Sequence, residues 1–384
     1  MTGLAEQSRA EPEQAIGSTG WRTQAQRRQE EVLPAGCVVL TCSAQLGEGG
    51  LGRHAQEIAD ALARRGAQPV CICGPDPSRP PVRRWRRLAR RAVNAPLALP
   101  PLHLAAAQRA LRKSRLFDVY AAGALPAAEH LIAFNGTALA QIRAARRAGG
   151  MSTALVSATS HFRLLARQHA LAHRQYPLEE SWATRLVERN LSEYSEVDRI
   201  YVSSDYTRDS FIAEGVGEEL LTRLVLTPDP RFEPGPSDAA SSTFDIVFCG
   251  SLSVVKGVPL LIDAVRALPY ADLRLVLVGG WKSRGMRRFV QRACAQDPRI
   301  WAGHGDPLPR LRGARLCVHP TYNDGFGYAP AEALACGVPV IVTEDTGMKD
   351  LIEPGRNGAI VATGDLGALT QAVEAAYRGE LCSG

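Results

Sequence analysis

Two stretches of the chain share one order of features: a short apolar run, a turn that contains glycine, and a segment that favours a helix. In the first stretch, the apolar run Cys37–Cys42 precedes glycines within 47–52 and a helical pattern over 54–65, and a second apolar run follows at 69–73. The other stretch begins with Phe244–Cys249. Apolar runs that alternate with helices are typical of strands buried on both faces of a parallel sheet. The sequence therefore predicts two Rossmann-like units of the α/β class with mostly parallel sheets.

A proline-rich segment separates the two units. Residues 227–242 contain four prolines, which neither a helix interior nor a central strand tolerates. We therefore assign residues 36–226 to an N-terminal domain, residues 227–242 to a linker and residues 243–384 to a C-terminal domain. Residues 1–35 are rich in Gln, Glu, Arg, Ser and Gly, so we expect a disordered tail there.

Further apolar runs in the N-terminal half extend its sheet. They predict strands near residues 117–121, 130–134, 153–158 and 198–203. Ligands of open α/β sheets bind outside the carboxyl ends of the strands. Two such sheets facing each other would place the site in the cleft between them, as suits an enzyme that closes on a nucleotide-bearing substrate.

The charge and the cysteines exclude some partners. Lys and Arg exceed Asp and Glu by only six, far less than in a dedicated nucleic-acid binder. The nine cysteines mostly lie in apolar runs, as buried thiols of a reduced cytoplasmic protein do. Cys71 and Cys73 have no second Cys or His pair at zinc spacing, so we expect no metal site. The polar N-terminus and the absence of long apolar windows predict neither export nor a membrane span.

The glycine turn at residues 47–52 fits the G-x-G-x-x-G spacing of dinucleotide sites. Such sites also need an acidic residue at the tip of the second strand, where it binds the ribose. Here that strand ends in Cys73-Gly74 without an acid. A nicotinamide or flavin site is therefore disfavoured.

A second candidate site follows the apolar run Leu316–His319. The chain turns there through two glycines into a helix that begins near Pro330, a residue tolerated in a first turn. Free amides of residues 326–329 would favour a bound anion by up to about 2 kcal/mol. Asp324 and Glu332 bracket those amides and suit hydroxyl groups of a sugar and a ribose. The alternative is an N-capping Asp with a solvated helical Glu.

These residues resemble the donor-site motif of the retaining glycosyltransferases of family four, which have the GT-B fold. That motif has an acidic residue, seven further residues and a glutamate, followed by a Gly-x-Pro-Val segment. Asp324 and Glu332 match the two acids, with Asp in place of the more usual Glu. The similarity spans about residues 36 to 380 and also includes Lys256-Gly257, residues 343–347, residues 354–358 and Gly49-Gly50-Leu51-Gly52.

The resemblance implies a role for each matching position. Glu332 would bind the donor ribose, Asp324 the transferred sugar, and Lys256 the diphosphate. His161 would lie near the reacting carbon, although a histidine that begins a helix is also typical of a structural cap. The implied donor-binding positions are Gly250, Lys256, Phe326, Gly327, Tyr328, Ala329 and Glu332. The implied catalytic positions are His161, Asp324 and Lys256, and the N-terminal glycine turn contributes Gly49, Gly50 and Gly52.

The resemblance implies transfer of a hexose-type sugar from a nucleoside diphosphate sugar to an acceptor hydroxyl with retention. No D-x-D occurs, which is consistent with a reaction that needs neither metal nor other cofactor. Ser251 stands where the family usually has a phosphate-binding arginine, so Arg53, Lys282 or Arg284 would substitute, or activity would be weak or absent. A nucleotide-sugar epimerase and a catalytically silent sugar-nucleotide-binding protein stay open as alternatives.

Residues 79–93 contain seven arginines. As a helix they would carry an apolar stripe through Trp85, Leu88 and Ala92 flanked by arginine, the pattern of an interfacial helix on anionic lipid. The alternative is a solvated basic face or a site for an anionic acceptor. Nucleic acid is disfavoured because stacking aromatics are lacking. We expect a cytoplasmic protein with this possible peripheral contact at the inner face of the membrane.

Overall fold

The computed structural model describes residues 19–74, 106–181, 186–236 and 243–381. They form two α/β domains, each on a six-stranded sheet whose paired strands are all parallel. The first domain contains α1 Thr19–Val32, β1 Cys37–Cys42, α2 Gly49–Arg64, β2 Gln68–Cys73, α3 Ala106–Gly123, β3 His130–Phe134, α4 Leu139–Ala148, β4 Ser152–Ser157, α5 Phe162–Gln175, α6 Val187–Tyr194, β5 Arg199–Val202, α7 Asp205–Ala213 and β6 Leu221–Arg223. The second contains β7 Phe244–Cys249, α8 Val258–Ala267, β8 Leu273–Val278, α9 Arg284–Gln296, β9 Ile300–Gly303, α10 Pro307–Arg312, β10 Leu316–His319, α11 Tyr328–Ala335, β11 Val340–Thr343, β12 Gly358–Val361 and α12 Leu366–Tyr377.

The strand order of each sheet reverses beside its first strand. The orders are β2-β1-β3-β4-β5-β6 and β12-β11-β10-β7-β8-β9. Central strands are buried on both faces, as the consecutive residues Val39 and Leu40 of β1 and Cys317 and Val318 of β10 show. This confirms the predicted fold class. The reversal of order at β1 and at β7 is where open α/β sheets bind ligands.

The expectation of a disordered tail is wrong for residues 19–32, which form α1. Ala25 and Gln29 are buried on one side of this helix, and Arg22 donates to the Phe232 carbonyl at 2.7 Å. Glu30 pairs with Arg64 of α2 at 2.7 Å. The helix is held mainly by polar contacts, so its sequence lacks the apolar period that would have indicated it. Residues 1–18 lie outside the described residues.

The strand expected near residues 117–121 is also wrong, since these residues belong to α3. Ser114, Asp118 and Ala121 are buried at a helical spacing. The Asp118 carboxylate accepts from the Ala140 amide at 2.9 Å and so caps α4. The apolar run that resembled a strand thus contains the residue that caps α4.

The linker has no helix or strand over its described residues 227–236, in agreement with its prolines. It is nevertheless packed: Phe232 is buried, and Thr227 donates through its amide and its hydroxyl to the carboxylate of Glu57. The linker therefore fixes part of the contact between the domains.

Helix α5 joins the two domains. Phe162 and Leu165 near its start lie in the N-terminal core, whereas Ala172 near its end lies in the C-terminal core. Just beyond it, the Tyr176 hydroxyl donates to Asp263 at 2.7 Å.

Within the described ranges, no helix is both long enough and apolar enough to cross a bilayer. The basic segment 79–93 lies outside these ranges.

Candidate active site

The turn after β10 is hydrogen-bonded to the segment that precedes α8. The Tyr322 amide donates to the Val255 carbonyl at 2.9 Å, and the Thr321 hydroxyl donates to the same oxygen at 3.1 Å. Gly257 has φ +71°, and a Cβ there would lie 1.9 Å from the Pro320 carbonyl oxygen. Only glycine allows this approach. Lys256, the residue before it, is thereby held against the turn.

Lys256 and Asp324 form the charged centre of the turn. Lys256 Nζ lies 2.5 Å from Asp324 Oδ2, and His319 Nε2 lies 3.1 Å from the same oxygen. Burial alone would raise the pKa of Asp324, but Lys256 and His319 hold it well below its usual range. Asp324 is therefore a carboxylate at neutral pH, ready to accept hydrogen bonds from hydroxyl groups.

His319 is a site residue that the sequence did not indicate. It ends β10, is 4% exposed and stacks on Phe248 with ring centroids 6.0 Å apart. Burial lowers its pKa despite the neighbouring Asp324, so the neutral ring donates its Nε2–H to the carboxylate. A histidine at the carboxyl end of a buried strand, five residues before an acid, was the available signal.

Glu332 lies inside α11, which begins after Gly327 with φ +91°. The carboxylate is buried, and burial raises its pKa. Its Oε1 lies 2.5 Å from a guanidinium nitrogen of Arg53, which also lies over the Tyr328 ring at 4.4 Å. Because Arg53 belongs to the first turns of α2, this pair joins the two domains.

The start of α11 offers free amides. Residues 326–329 donate no backbone hydrogen bond to any acceptor in the described ranges, and Pro330 stands in the first turn as expected. A helix start with unpaired N–H groups favours an anion. These amides lie between Asp324 and Glu332 along the chain.

Loops of the N-terminal domain reach the same turn. The Asn323 side-chain amide donates to the Ser160 hydroxyl at 2.6 Å and to the Tyr206 hydroxyl at 2.7 Å. The Ser204 hydroxyl donates to the Gly325 carbonyl at 2.6 Å. The carboxyl ends of β4, β5 and β10 thus meet, and the structure brings Asp324 to the predicted cleft.

Comparison with known proteins assigns this architecture. Residues 48–223 match the family described as Glycosyltransferase Family 4, and residues 243–378 match the one described as Glycosyl transferases group 1. The chain belongs to glycosyltransferase family 4. The solved sucrose-phosphate synthase of Thermosynechococcus elongatus has the same fold, with a TM-score of 0.68 at 16% identity over 91% of this chain and 92% of that one. HepE of Anabaena, solved with UDP and glucose, gives a TM-score of 0.63 at 16% identity over 90% and 92%.

A curated relative is the D-inositol 3-phosphate glycosyltransferase of Pseudarthrobacter chlorophenolicus. It is 31% identical over 210 residues, which are 51% of this chain and 48% of the relative. This chain thus spans about half the length of that relative.

Ser251 stands where the family usually has an arginine, and Lys282 lies close to it through contacts with the next residue, Leu252. Leu252 pairs with Trp281 as a parallel bridge, and the Lys282 amide donates to the Leu252 carbonyl at 3.1 Å. Burial lowers the pKa of His169 to about 3, and His173, Lys256 and Lys282 lower it further by their charge. Lys282 and Lys256 thus both act on His169 by their charge. Arg53 is paired with Glu332, so of these two cations Lys282 stays the candidate to replace the arginine that the resemblance leads one to expect.

His161 lies in the N-terminal core. It is 2% exposed, and its ring centroid lies 5.0 Å from that of Tyr194 and 5.1 Å from that of Phe211. Its Nδ1 accepts from the Arg163 amide at 3.4 Å and caps α5, and burial lowers its pKa to about 4. These contacts favour the capping alternative over the catalytic role that the resemblance implied.

The predicted glycines lie at points of close approach or at exposed turns. A Cβ on Gly52 would lie 1.9 Å from the Gln45 carbonyl, so this glycine lets α2 pack on the preceding loop. Gly49 and Gly50 are exposed in the first turn of α2. Gly250 follows β7, and its carbonyl oxygen would lie 1.7 Å from a Cβ on Gly279, the residue directly after β8.

Proposed function

We propose that this protein transfers a hexose-type sugar from a nucleoside diphosphate sugar to an acceptor hydroxyl, with retention of the anomeric configuration. The observation that carries the proposal is the Asp324 carboxylate, held in the cleft by Lys256 at 2.5 Å, with the buried Glu332 at the other end of the same turn and helix. Support also comes from the relative named for a glycosyl transfer to D-inositol 3-phosphate and from HepE, which was solved with UDP-glucose.

Asp324 would accept hydroxyl hydrogens of the transferred sugar and steady the positive charge that develops at its reacting carbon. Glu332 would accept hydroxyl hydrogens of the ribose. Arg53, which now contacts this carboxylate, would share it with the ribose or leave it when the donor binds.

Lys256 and the amides of 326–329 would stabilise the diphosphate that leaves. The negative charge of that group grows as the glycosidic bond breaks, so a fixed cation and fixed dipoles lower the barrier. In this scheme the acceptor oxygen bonds to the sugar carbon on the face that the phosphate leaves, and the phosphate oxygen takes the acceptor proton. The chain then needs no separate base, and we propose that it needs neither a metal nor another cofactor.

The test uses the whole protein with labelled UDP-glucose and other nucleoside diphosphate sugars, each with and without acceptors. D-inositol 3-phosphate is the first acceptor, and glycan and lipid acceptors follow. We expect a product that forms only with an acceptor, whose NMR spectrum has the donor's anomeric configuration and whose rate is unchanged by EDTA.

Each other result contradicts a part of the proposal. Conversion of the donor to an epimer without acceptor indicates the epimerase. Binding of donors without turnover indicates the silent protein. A product of inverted configuration refutes retention, and loss of activity in EDTA refutes the metal-independent reaction. Asp324→Asn should abolish turnover, whereas Arg274→Gln, which breaks an exposed ion pair of the same domain, should not.

A further inference from the structure

Helix α3 carries apolar side chains on its exposed side. Leu116, Val119 and Tyr120 are 48%, 66% and 41% exposed. Their spacing of three and four residues places them on one face of the helix, opposite the face that buries Asp118 and Ala121. We call these three residues the α3 ridge. Large exposed apolar groups are scattered singly on most soluble surfaces, so three within one turn and a half call for a partner.

Positive charge surrounds the α3 ridge. Among the side chains of α3 and α4 that the structure describes, the exposed basic ones are Arg112, Lys113, Arg115, Arg143, Arg146 and Arg147. Arg143 is paired with Glu196 at 2.6 Å. Arg115 and Arg147, by contrast, form no ion pair with any residue in the described ranges. The nearby acid, Asp118, is buried and already compensated by Arg189 at 2.5 Å.

A cavity of about 300 Å³ lies between α3 and α4 beside the α3 ridge. Arg115, Arg143, Arg147 and Arg189 line it together with Asp118, and Val119 of the ridge forms one of its walls. Because Arg143 is paired with Glu196 and Arg189 with Asp118, the cavity offers an anionic group the guanidinium groups of Arg115 and Arg147, directly beside an apolar surface. Arginine is suited to this because its planar group binds phosphate through two parallel hydrogen bonds.

We propose that this face binds the surface of an anionic phospholipid bilayer, with the α3 ridge in the acyl boundary and lipid phosphates at Arg115 and Arg147. An apolar ridge flanked by long basic side chains is the pattern of an interfacial helix. The charge selects this occupant: a second copy of the chain would bring like charge to like charge, and so would residues 79–93 with their seven arginines. The proposal is independent of the transfer reaction.

The face also has a defined relation to the cleft. Helix α4 begins where β3 ends, so Leu139 and Ala140, which line the same cavity, lie at the carboxyl-end side of the N-terminal sheet. A bilayer bound here would lie near the mouth of the cleft.

The test is co-sedimentation of the whole protein with vesicles of phosphatidylcholine alone and of phosphatidylcholine with 30% phosphatidylglycerol, a composition of roughly physiological anionic charge. We expect binding to the anionic vesicles only. Replacing the ridge by L116S, V119S and Y120S together should reduce partitioning by at least about tenfold, because one fully buried apolar side chain contributes on the order of tenfold. R115Q with R147Q should reduce it by roughly fivefold per charge.

Matched controls remove the same groups elsewhere. R287Q with R288Q removes two exposed charges from α9, and I360S removes an exposed apolar side chain from β12. Both should bind as the wild type does. Circular dichroism and thermal midpoints verify that all variants are folded.

Hydrogen exchange locates the contact. Amides of residues 106–123 should exchange more slowly with anionic vesicles and not with phosphatidylcholine vesicles. The proposal is overturned if the wild type does not sediment with anionic vesicles, if the folded ridge variant binds as the wild type does, or if the controls lose as much binding as the ridge variant. It is also overturned if protection appears only in peptides from residues 79–93, which would assign the contact to that segment.

Discussion

Replacing Lys256 by Met removes the charge that holds Asp324 ionised, and the structure fixes what this should cost. The pair has Nζ and Oδ2 2.5 Å apart, with side chains 25% and 22% exposed. Breaking a fully buried pair costs about 3–5 kcal/mol, whereas an exposed pair contributes about 0–1 kcal/mol. With a quarter of each side chain exposed and His319 still bonded to the carboxylate, we expect a loss of about 2 kcal/mol in the free energy of unfolding.

A double-mutant cycle isolates the pair. Lys256→Met, Asp324→Asn and the double variant are unfolded in urea and followed by circular dichroism. Arg274→Met is the control: the Arg274 side chain is 45% exposed, against 25% for Lys256, so breaking its pair with Asp245 in the same domain should cost less than about 1 kcal/mol. A coupling energy below about 0.5 kcal/mol, the range in which independent sites add, would refute this account of the pair.

The pH dependence of the Lys256→Met effect has a definite sign. The folded-state pKa of Asp324 lies below its ordinary value, so the carboxylate adds stability above the unfolded pKa and loses it as the pH falls towards the folded value. Removing Lys256 raises the folded pKa. The difference between wild type and Lys256→Met should therefore be full at pH 7 and shrink as the pH falls through the ordinary carboxyl range of about 4. A difference that grows in acid would contradict this assignment.

Three further predictions concern donor binding and the basic segment. Glu332→Ala should weaken donor affinity by about 1.5–3 kcal/mol with little change in kcat, since a ribose contact is similar in ground and transition states; titration calorimetry with an unchanged Kd would contradict the ribose role. Lys282→Ala should lower donor affinity and Ser251→Arg should restore it in that background, as measured by thermal shift with nucleoside diphosphates. If Lys282→Ala binds normally, another cation fills the role. Changing four arginines of residues 79–93 to Gln should reduce sedimentation with anionic vesicles, each contributing about 1 kcal/mol near the surface; unchanged sedimentation would remove that segment from the membrane contact.

Local sequence patterns made the two sheets and the turn after β10 predictable. Runs such as Phe244–Cys249 are buried on both faces and so are apolar throughout, which is visible in one dimension. The turns at Gly257 and Gly327 require left-handed backbone, so glycine is a direct signal of the geometry. Asp324 and Glu332 lie eight residues apart on that turn and helix, and their local placement follows from the same pattern.

Contacts between distant parts of the chain could not be predicted. In the sequence Arg53 has no evident partner, because only the packing of the two domains brings it to Glu332. The position of the His161 side chain depends on its packing against Tyr194 and Phe211, neither of which is near it in sequence. Helix α1 was not predicted because hydrogen bonds to the linker, such as that from Arg22, hold it in place. Such bonds produce no periodic pattern of apolar residues in the sequence.

The contacts that close the cleft around Asp324 differ in kind from those at the linker. Around the turn they are hydrogen bonds between polar groups, such as Asn323 with Ser160 and Gln168 with Asp345 at 2.6 Å. Each contributes only about 1 kcal/mol net, since water replaces the partner when the cleft opens. At the linker, buried Phe232 packs in an apolar cluster that includes residues of both domains, and its exposure to water would cost more. The two domains are therefore joined more firmly at the linker than at the turn after β10. This distribution of contacts would let the cleft open at the turn while the linker keeps its base together, and such an opening would admit the nucleotide sugar of the proposed reaction.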